Sequence, residues 1–349
     1  MRTTWLVIGW LLALGIASGI YLRWSEVSTP LLLGLVGVIG LIMVIPLLGL
    51  GISAWRSRSP SLRVAAVMVL VVYLATFGNI RSVIGCGGGT SDDDIVVFHQ
   101  NVYLGQADPA LVASAILDSG ADVAVIAEVR YDFMVTFEKQ PGLDVLPYRA
   151  SEPADASNGL ALWSRWPLRD ATVEMSGRRP FLHAVVESPH GELVMYAVHT
   201  SAPVEPLEIA DWESQLSYLG GVDRSMPTVM AGDFNATADH SQFRTLLAQG
   251  WSDVHQTKGC GLDLTWPSNR GTGISLLRLD HVLVTDHFDV LGVEVGSANG
   301  SDHRPVVTTI RLTKPMLGSS RTAAPSAGDG QQQDPSSEAG PAETSESSG

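Results

Sequence analysis

The distribution of apolar residues divides this 349-residue chain into two unlike parts. In the N-terminal part, residues 5–22, 31–55 and 64–80 contain no Lys, Arg, Asp or Glu. Because a helix needs roughly 20 apolar residues to cross the hydrocarbon core of a bilayer, we expect these stretches to form three membrane-spanning helices. The alternative is that they are buried helices of a soluble protein. Since only short loops separate them, the lipid bilayer is the expected partner of residues 1–84.

Basic residues flank the three stretches unequally. Four arginines lie on one side of the expected bilayer, Arg2, Arg56, Arg58 and Arg63, and two lie on the other side, Arg23 and Arg81. The side richer in arginine is normally cytoplasmic, so three crossings place the rest of the chain outside the cell. Alternatively, the first stretch is a signal peptide, because the small residues at 17–19 are compatible with cleavage.

Beyond residue 94 the pattern changes to short apolar runs between polar segments. Runs rich in β-branched residues predict strands at 95–98, 122–127, 160–163, 181–186, 193–198, 228–231, 279–284, 290–295 and 305–310. Helices are predicted at 109–118, 206–219 and 240–249. Strands and helices alternate early and strands dominate late, which predicts one layered α/β domain with mixed sheets over residues 95–312.

Two segments without an apolar pattern flank this domain. Residues 85–94 are rich in glycine and then acidic, which predicts a flexible linker. Residues 313–349 consist mainly of Ser, Gly, Pro, Gln and Glu and cannot bury enough apolar surface to fold, so we predict a disordered tail. The two cysteines, Cys86 and Cys260, lie in the linker and in a loop, and we predict no structural disulfide.

The charge of the predicted domain limits its partners. The whole chain carries a net charge of −14, and residues 87–314 contain 15 Lys plus Arg against 30 Asp plus Glu, with no basic stripe. Binding to long duplex nucleic acid depends mainly on neutralisation of phosphates by Lys and Arg. The acidic composition therefore makes a long duplex a less favoured substrate without excluding it.

Two short motifs carry the strongest chemical signal. Gly-Asp-Phe-Asn at 232–235 and Ser-Asp-His-Arg-Pro at 301–305 each adjoin an apolar, β-branched run. Further polar residues stand where other predicted strands begin or end, and the complete set is Asn101, Glu128, His199, Asp233, Asn235, Asp280, Asp302 and His303. Because sites usually gather in the loops at strand ends, we expect these side chains to form one site.

These residue types suit the hydrolysis of a phosphate ester. A hard divalent cation such as Mg²⁺ takes oxygen ligands, and it neutralises the charge of the phosphate. Glu128 and Asp302 are the expected ligands. Asn101 is expected either to join the metal shell or to hold Glu128 by hydrogen bonds.

The remaining residues suit proton transfer and contacts with the phosphate. Asp233 is expected to orient and deprotonate the attacking water, with Asn235 steadying the phosphate. His199 and His303 are expected to donate hydrogen bonds to phosphate oxygens or to act in acid–base transfer. Asp280 is the expected partner of His303, because a histidine needs an acidic neighbour to fix its tautomer. No catalytic role is assigned to the other seven histidines, His99, His183, His190, His240, His255, His281 and His287.

The order of these residues resembles the endonuclease/exonuclease/phosphatase superfamily. That family includes apurinic endonucleases, pancreatic-type deoxyribonucleases, inositol-phosphate 5-phosphatases and bacterial sphingomyelinases. The resemblance covers residues 95–312 and includes Asn-Gly-Leu-Ala-Leu-Trp-Ser-Arg-Trp-Pro at 158–167 and His-Thr-Ser-Ala-Pro at 199–203. It implies a four-layer sandwich of two packed mixed β-sheets flanked by helices. It also implies dependence on Mg²⁺ or Mn²⁺, with Ca²⁺ as a further possibility.

The leading hypothesis is a membrane-anchored, outward-facing phosphodiesterase that resembles nucleases, with extracellular nucleic acid as the favoured substrate. Phospholipid head groups and small phosphate esters are alternative substrates, because the specificity loops and basic insertions of individual branches of the family are not recognisable here. A different class of function is a membrane-tethered binding module that has lost catalysis. No protein partner can be inferred from the sequence.

Overall fold

The computed structural model describes residues 1–77, 91–259, 263–268 and 274–313. Most of the predicted linker, both cysteines and all but the first residue of the predicted tail lie outside these ranges. The described residues belong to one compact unit that extends from Met1 to Met316.

Among the described residues, five helices precede the first strand. They are α1 (Arg2–Trp24), α2 (Pro30–Gly37), α3 (Ile39–Ile42), α4 (Val44–Ser57) and α5 (Pro60–Phe77). Three helical segments are long and apolar enough to cross a membrane, namely Arg2–Trp24, Ile39–Ser57 and Pro60–Phe77.

The prediction of one continuous helix over 31–55 is wrong at its start. The backbone leaves helical geometry at Val38, between α2 and α3. Glycines at 34, 37 and 40 weaken helix formation in this region, because glycine loses more conformational freedom than other residues when it becomes helical. The first part of the apolar stretch, α2, packs on the following domain, and the candidate span starts only at Ile39.

Twelve strands form two sheets of six among the described residues. The strands of the first half are β1 (Ile95–Asn101), β2 (Val123–Ala127), β3 (Tyr148–Glu152), β4 (Leu160–Ser164), β5 (Leu168–Ser176) and β6 (Arg179–Ser188). The second half contributes β7 (Gly191–His199), β8 (Thr228–Asp233), β9 (Ser252–Asp253), β10 (Asp280–Val284), β11 (Phe288–Val295) and β12 (Val306–Leu312). The strand order is β11-β12-β1-β2-β4-β3 in one sheet and β5-β6-β7-β8-β10-β9 in the other.

Helices cover the outer faces of both sheets. On the first sheet they are α6 (Pro109–Asp118) and α7 (Tyr131–Phe137), and on the second sheet α8 (Pro206–Gly220) and α9 (Ser241–Ala248). The short α10 (Val254–Lys258) instead contributes Val254 to the cluster between the sheets. One apolar cluster lies between the sheets, and a second buries α6 and α7 on the first sheet. A third buries α8 and α9 on the second sheet. The predicted four-layer sandwich of two mixed sheets is therefore confirmed.

Parallel pairing at the centre of each sheet gathers strand ends at one edge. Strand β1 runs parallel to β2, so that Asn101 pairs with Ala127, the residue before Glu128. Strand β7 runs parallel to β8, so that His199 pairs with Asp233. Asp280 begins the antiparallel β10 opposite Asp233. Polar residues that are far apart in sequence thus meet where these strands end.

Candidate active site

The backbone at Glu128 is adapted to its position just after β2. Its φ is +61°, a conformation that non-glycine residues adopt rarely and mostly where surrounding structure imposes it. The following residue, Val129, exchanges backbone hydrogen bonds with Gly159 and Ala154. A Cβ atom on Gly159 would overlap the carbonyl oxygen of Val129, so only glycine permits this approach. The Asn-Gly-Leu motif therefore holds the turn that presents Glu128.

Glycine is also required immediately before Asp233. A Cβ atom on Gly232 would overlap the carbonyl oxygen of Val198 on β7. The absence of a side chain lets β8 approach β7 closely, which keeps His199 opposite Asp233. The glycine of the Gly-Asp-Phe-Asn motif thus serves the geometry of the site.

Asn101 connects the two central carboxylates. Its side-chain nitrogen donates to Glu128 Oε1 at 3.0 Å and to Asp233 Oδ2 at 3.1 Å. Its side-chain oxygen accepts a hydrogen bond from the backbone N–H of Tyr103 at 2.9 Å. The second Glu128 oxygen accepts from the backbone N–H of Leu104 at 2.7 Å. Of the two roles expected for Asn101, its contacts match the positioning of Glu128.

A buried chain of hydrogen bonds runs through Asp280. His303 Nδ1 lies 2.7 Å from Asp280 Oδ2, and His99 Nε2 lies 2.9 Å from the other oxygen, Oδ1. His303 Nε2 points to the far side, 3.6 Å from Asp233 Oδ2. The expected contact between Asp280 and His303 is therefore present. His99, to which no role was assigned, completes the chain from the neighbouring sheet.

Charges nearby hold His303 in its protonated form. Burial alone would lower the pKa of His303, but the carboxylates of Asp280 and Asp233 outweigh it and raise this pKa to about 10. For Asp280, burial would raise the pKa, but His303 and His99 lower it far below its usual range. At neutral pH the pair is an imidazolium and a carboxylate.

His199 is in the opposite electrostatic state. Its Nε2 lies 3.6 Å from Glu128 Oε1 and 3.8 Å from Asp233 Oδ2. The guanidinium of Arg179 lies 3.5 Å from its Nδ1 and donates to the backbone oxygen of Ser157 at 2.7 Å. Burial, with Arg179 in second place, lowers the pKa of His199 well below its usual range. The imidazole is therefore neutral at pH 7. Arg179 is a site residue that the sequence motifs did not reveal.

Asn235 and Asp302 complete the predicted set, and they have separate hydrogen-bond partners. Asn235 has a φ of +46°, its backbone N–H donates to Asp233 Oδ1 at 2.8 Å, and its side chain donates to the carbonyl oxygen of Thr200. Asp302 accepts a hydrogen bond from the indole of Trp266 at 3.1 Å. Its charge raises the pKa of Glu128, although burial of Glu128 is the larger cause.

The acidic side chains repel one another in the absence of a cation. Burial raises the pKa of Glu128, and burial together with Asp280 and Glu128 raises the pKa of Asp233 to about 6 despite His303. Raised carboxyl pKa values show that the negative charges are costly where they stand. A divalent cation would remove this cost, and carboxylate oxygens are the ligands that Mg²⁺ prefers. The environment of Glu128, with Asp302 among the nearby negative charges, is therefore one that a divalent cation would stabilise.

Asp233, Asp280 and His303 also offer ligand atoms within 4.8 Å of one another. However, both oxygens of Asp280 are occupied by histidine nitrogens, and His303 Nδ1 already faces Asp280. A metal on this group would compete with these hydrogen bonds for the oxygens of Asp280. The group is better suited to moving a proton than to holding the cation.

The comparisons agree with this geometry. The sequence pattern of the Endonuclease/Exonuclease/phosphatase family matches residues 99–303, more than half of the chain. The chain belongs to this family. Comparison with curated protein sequences gives no match. The matched region begins at His99 and ends at His303, which are the two histidines that contact Asp280.

Solved structures of the family share the fold. An endonuclease/exonuclease/phosphatase from Beutenbergia cavernae is 22% identical, with a TM-score of 0.52 and coverage of 63% of this chain and 72% of that one. Humanized Danio rerio TDP2 is 15% identical, with a TM-score of 0.53 and coverage of 63% and 100%. A Bacteroides vulgatus endonuclease/exonuclease/phosphatase is also 15% identical, with a TM-score of 0.50 and coverage of 63% and 99%.

Proposed function

We propose that this family member is a membrane-anchored, divalent-metal-dependent phosphodiesterase. The observation that carries the proposal is the position of Asp233. One of its oxygens accepts from Asn101, which also holds Glu128, and the same oxygen faces the imidazolium of His303. The proposed base Asp233, the candidate metal ligand Glu128 and the protonated His303 are therefore joined in one cluster.

We propose that Glu128 and Asp302 would hold Mg²⁺, with Mn²⁺ as a substitute. Asn101 would orient Glu128 through its hydrogen bond. When bound, the cation supplies charge neutralisation for the phosphate and the leaving oxygen. Burial is the main cause of the raised pKa of Glu128, and the nearby negative charge of Asp302 adds to it, which supports this assignment.

In this mechanism Asp233 accepts the proton of the attacking water. A pKa of about 6 leaves it ionised at pH 7 yet basic enough to take a proton. His303, kept protonated by Asp280, donates through Nε2 to a non-bridging phosphate oxygen and stabilises the charge that develops there. Asn235 fixes the loop beside Asp233 and steadies the phosphate.

The neutral His199 has a different task. Because its pKa is far below 7, it donates or accepts a hydrogen bond without carrying charge. The guanidinium of Arg179 lies next to it and offers a charge-assisted contact to a phosphate oxygen. We propose that these two residues bind the phosphate on the face opposite His303.

Extracellular nucleic acid is our leading substrate, in line with the nuclease branch of the family and an outward-facing domain. The acidic composition of the domain argues against tight binding of a long duplex. One observation favours phospholipid as a second candidate. The loop that begins at Asp233 reaches the end of the apolar helix bundle at Asp239, where it contacts Arg23.

The test uses the full chain in detergent micelles. Bis-p-nitrophenyl phosphate, single-stranded DNA, RNA and phospholipid vesicles are incubated with and without Mg²⁺. We expect cleavage that EDTA abolishes, and a loss in Asp233→Asn of roughly 10²–10⁴-fold in kcat. Asp289→Asn, an exposed acid on β11, is the matched control and retains full activity. Inactivity of the wild-type chain on every substrate would refute the proposed function.

Topology is tested separately. A reporter alkaline phosphatase fused after Lys314 is active only outside the cytoplasm. We expect activity, since four of the six arginines that flank the spans lie on the other side. An inactive fusion combined with an active cytoplasmic reporter at the same position would place the domain inside the cell.

A further inference from the structure

The segment that joins α1 to α3 forms part of the second sheet's outer layer. Val27, Leu33 and Val36 are buried to at least nine-tenths of their surface. They belong to the apolar cluster that also contains Trp212, Phe234 and Phe243. This segment, residues 25–38, therefore completes the core of the catalytic domain.

Polar contacts join the same two parts. Arg23, near the end of α1, pairs with Asp239 at 2.7 Å, and their side chains are only 9% and 20% exposed. Arg244 donates to the backbone oxygen of Arg23 at 2.6 Å and to that of Asp239 at 2.5 Å. Two further contacts are Gln242 to the Val27 oxygen and Ser28 to Glu213.

His240 adds a contact that depends on its tautomer. Its Nδ1 accepts the backbone N–H of Thr237 at 2.8 Å, so its Nε2 carries the proton and donates to the Leu33 oxygen at 3.1 Å. One buried imidazole thus links α2 to the loop that follows β8. We call residues 234–240 the post-β8 loop.

The post-β8 loop starts directly after Asp233, the proposed catalytic base. Asp233 ends β8, and Asn235, whose N–H holds an Asp233 oxygen, is the second residue of the loop. The first half is fixed within the domain, because Trp212 donates to the Phe234 oxygen and His281 contacts the Ala236 oxygen. The second half, residues 237–240, is fixed by Arg23, Arg244 and α2.

The contact lies at one end of the helix bundle. The guanidinium of Arg23 stacks on Trp24 at 5.0 Å and on Phe77, the last residue of α5, at 5.2 Å. Tyr73 of α5 donates to the oxygen of Gly40 in α3 at 2.8 Å. The ends of all three candidate spans therefore converge on the residue that pairs with Asp239.

We propose that Arg23 is a positioning residue of the active site, which acts through Asp239 on the post-β8 loop and so makes catalysis depend on the membrane anchor. The proposal rests on the proposed function for its activity readout. Its second readout, hydrogen exchange of the loop, does not depend on activity. Arg23 touches neither substrate nor metal in this scheme; it sets where Asp233 and Asn235 stand.

The experiment compares Arg23→Gln, Asp239→Asn, the double variant and Arg23→Lys with wild type, all as full chains in detergent micelles. Arg56→Gln is the matched control, because Arg56 lies in the same bundle and stacks on Trp5 and Trp55 at 5.7 and 5.6 Å. For each protein, kcat and KM are measured on bis-p-nitrophenyl phosphate with Mg²⁺. Hydrogen–deuterium exchange is followed in peptides that cover residues 233–243.

We expect Arg23→Gln and Asp239→Asn each to lower kcat about tenfold with little change in KM, since small displacements of reacting groups are costly. The double variant should be no worse than either single variant, and Arg23→Lys should recover most of the activity. Exchange in residues 234–240 should rise in Arg23→Gln and stay at the wild-type level in Arg56→Gln.

The proposal is overturned if Arg23→Gln matches Arg56→Gln in loop exchange. It is also overturned if kcat and KM remain at wild-type values, or if the two single effects add in the double variant. If wild type cleaves nothing, the proposed function fails, and the exchange measurement alone decides the role of Arg23.

Discussion

Replacement of Asp280 by Asn tests the buried Asp280–His303 pair directly. The Asn side chain has nearly the same shape but carries no charge, so His303 loses the largest interaction that raises its pKa. The shift of this pKa from 6.5 to about 10 is a net preference of about 5 kcal/mol for the imidazolium, which Asp280 and then Asp233 supply against the opposing effect of burial. Loss of the largest contribution lets burial lower this pKa, and it also leaves the imidazole without the partner that orients it.

We expect kcat at pH 7.5 to fall by roughly 10²–10⁴-fold, the usual contribution of a positioned proton donor. The remaining activity should increase as the pH is lowered from 8 to 6.5, because His303 then regains its proton. The assay is the pH profile of kcat on bis-p-nitrophenyl phosphate with saturating Mg²⁺.

Asp253→Asn is the matched control for this experiment. Asp253 forms a second buried pair with His281, at 2.6 Å, and its other oxygen caps the start of α10. The change removes the same charge from the same kind of pair, but it reaches the site only through His281, which contacts the Ala236 oxygen of the post-β8 loop, so kcat should fall by no more than about tenfold. If Asp280→Asn also stays within about tenfold of wild type, or if both variants lose activity equally, the assignment of Asp280 as the partner that charges and orients His303 is wrong.

Three further predictions concern the metal, the strand register and the docked loop. Glu128→Gln should raise the Mg²⁺ concentration for half-maximal activity by at least about tenfold, and an unchanged Mg²⁺ titration would contradict its role as a ligand. Gly232→Ala should lower the melting temperature and kcat together, because the new Cβ atom would overlap the Val198 carbonyl oxygen. The expected loss of stability is about 1–3 kcal/mol or more. Calorimetry that shows wild-type stability would argue against this close approach of β8 to β7. Burial lowers the pKa of His240 to about 4, so the unfolded chain binds more protons than the folded one below pH 6.5, and stability should fall by up to about 3 kcal/mol between pH 6.5 and 4. This slope, measured by thermal unfolding, should be smaller in His240→Gln, and equal slopes would refute the assignment.

Much of the fold was predictable because buried strands have a distinctive pattern. Strands such as β2 and β8 are buried at every residue, and their apolar, β-branched sequences predicted them closely. Strand β5 was missed because seven of its nine residues are exposed and its sequence is largely polar. Strand β3 lies at a sheet edge with mostly exposed side chains, so it also lacks an apolar signature.

The candidate site was predictable where a residue adjoins a strand end in a motif. Its eight predicted members all lie within the described residues, and contacts through Asn101, Asp233 and His303 join seven of them. The eighth, Asp302, contacts Trp266 and acts on Glu128 through its charge. His99 was missed because it lies inside β1 among buried residues, where an isolated histidine gives no signal. Arg179 was missed because it begins β6 on an otherwise ordinary polar turn, and its neighbour His199 is near only after β6 and β7 pair.

Docking by residues 25–38 could not be predicted from hydrophobicity, because an apolar helix has the same sequence pattern whether lipid or protein covers it. The packing of Leu33 and Val36 against the catalytic domain distinguishes the two cases. The pairing of Arg23 with Asp239 was equally hidden, since 216 positions separate the two residues in sequence.

The shortness of the connection from Asp233 to Asp239 would determine where the proposed phosphodiesterase finds its substrate. Six residue steps extend at most about 20 Å, so the proposed catalytic base stays within that distance of the bundle's end. With the bundle in a bilayer, the reaction would be confined to a thin layer of constant height above the lipid surface. A lipid phosphate would reach it by lateral diffusion in two dimensions, whereas a dissolved polymer would have to approach the membrane first. The hydrolysis rate of a vesicle-bound ester, compared with that of a soluble ester of the same chemistry, would therefore depend on how far the active site lies above the lipid surface.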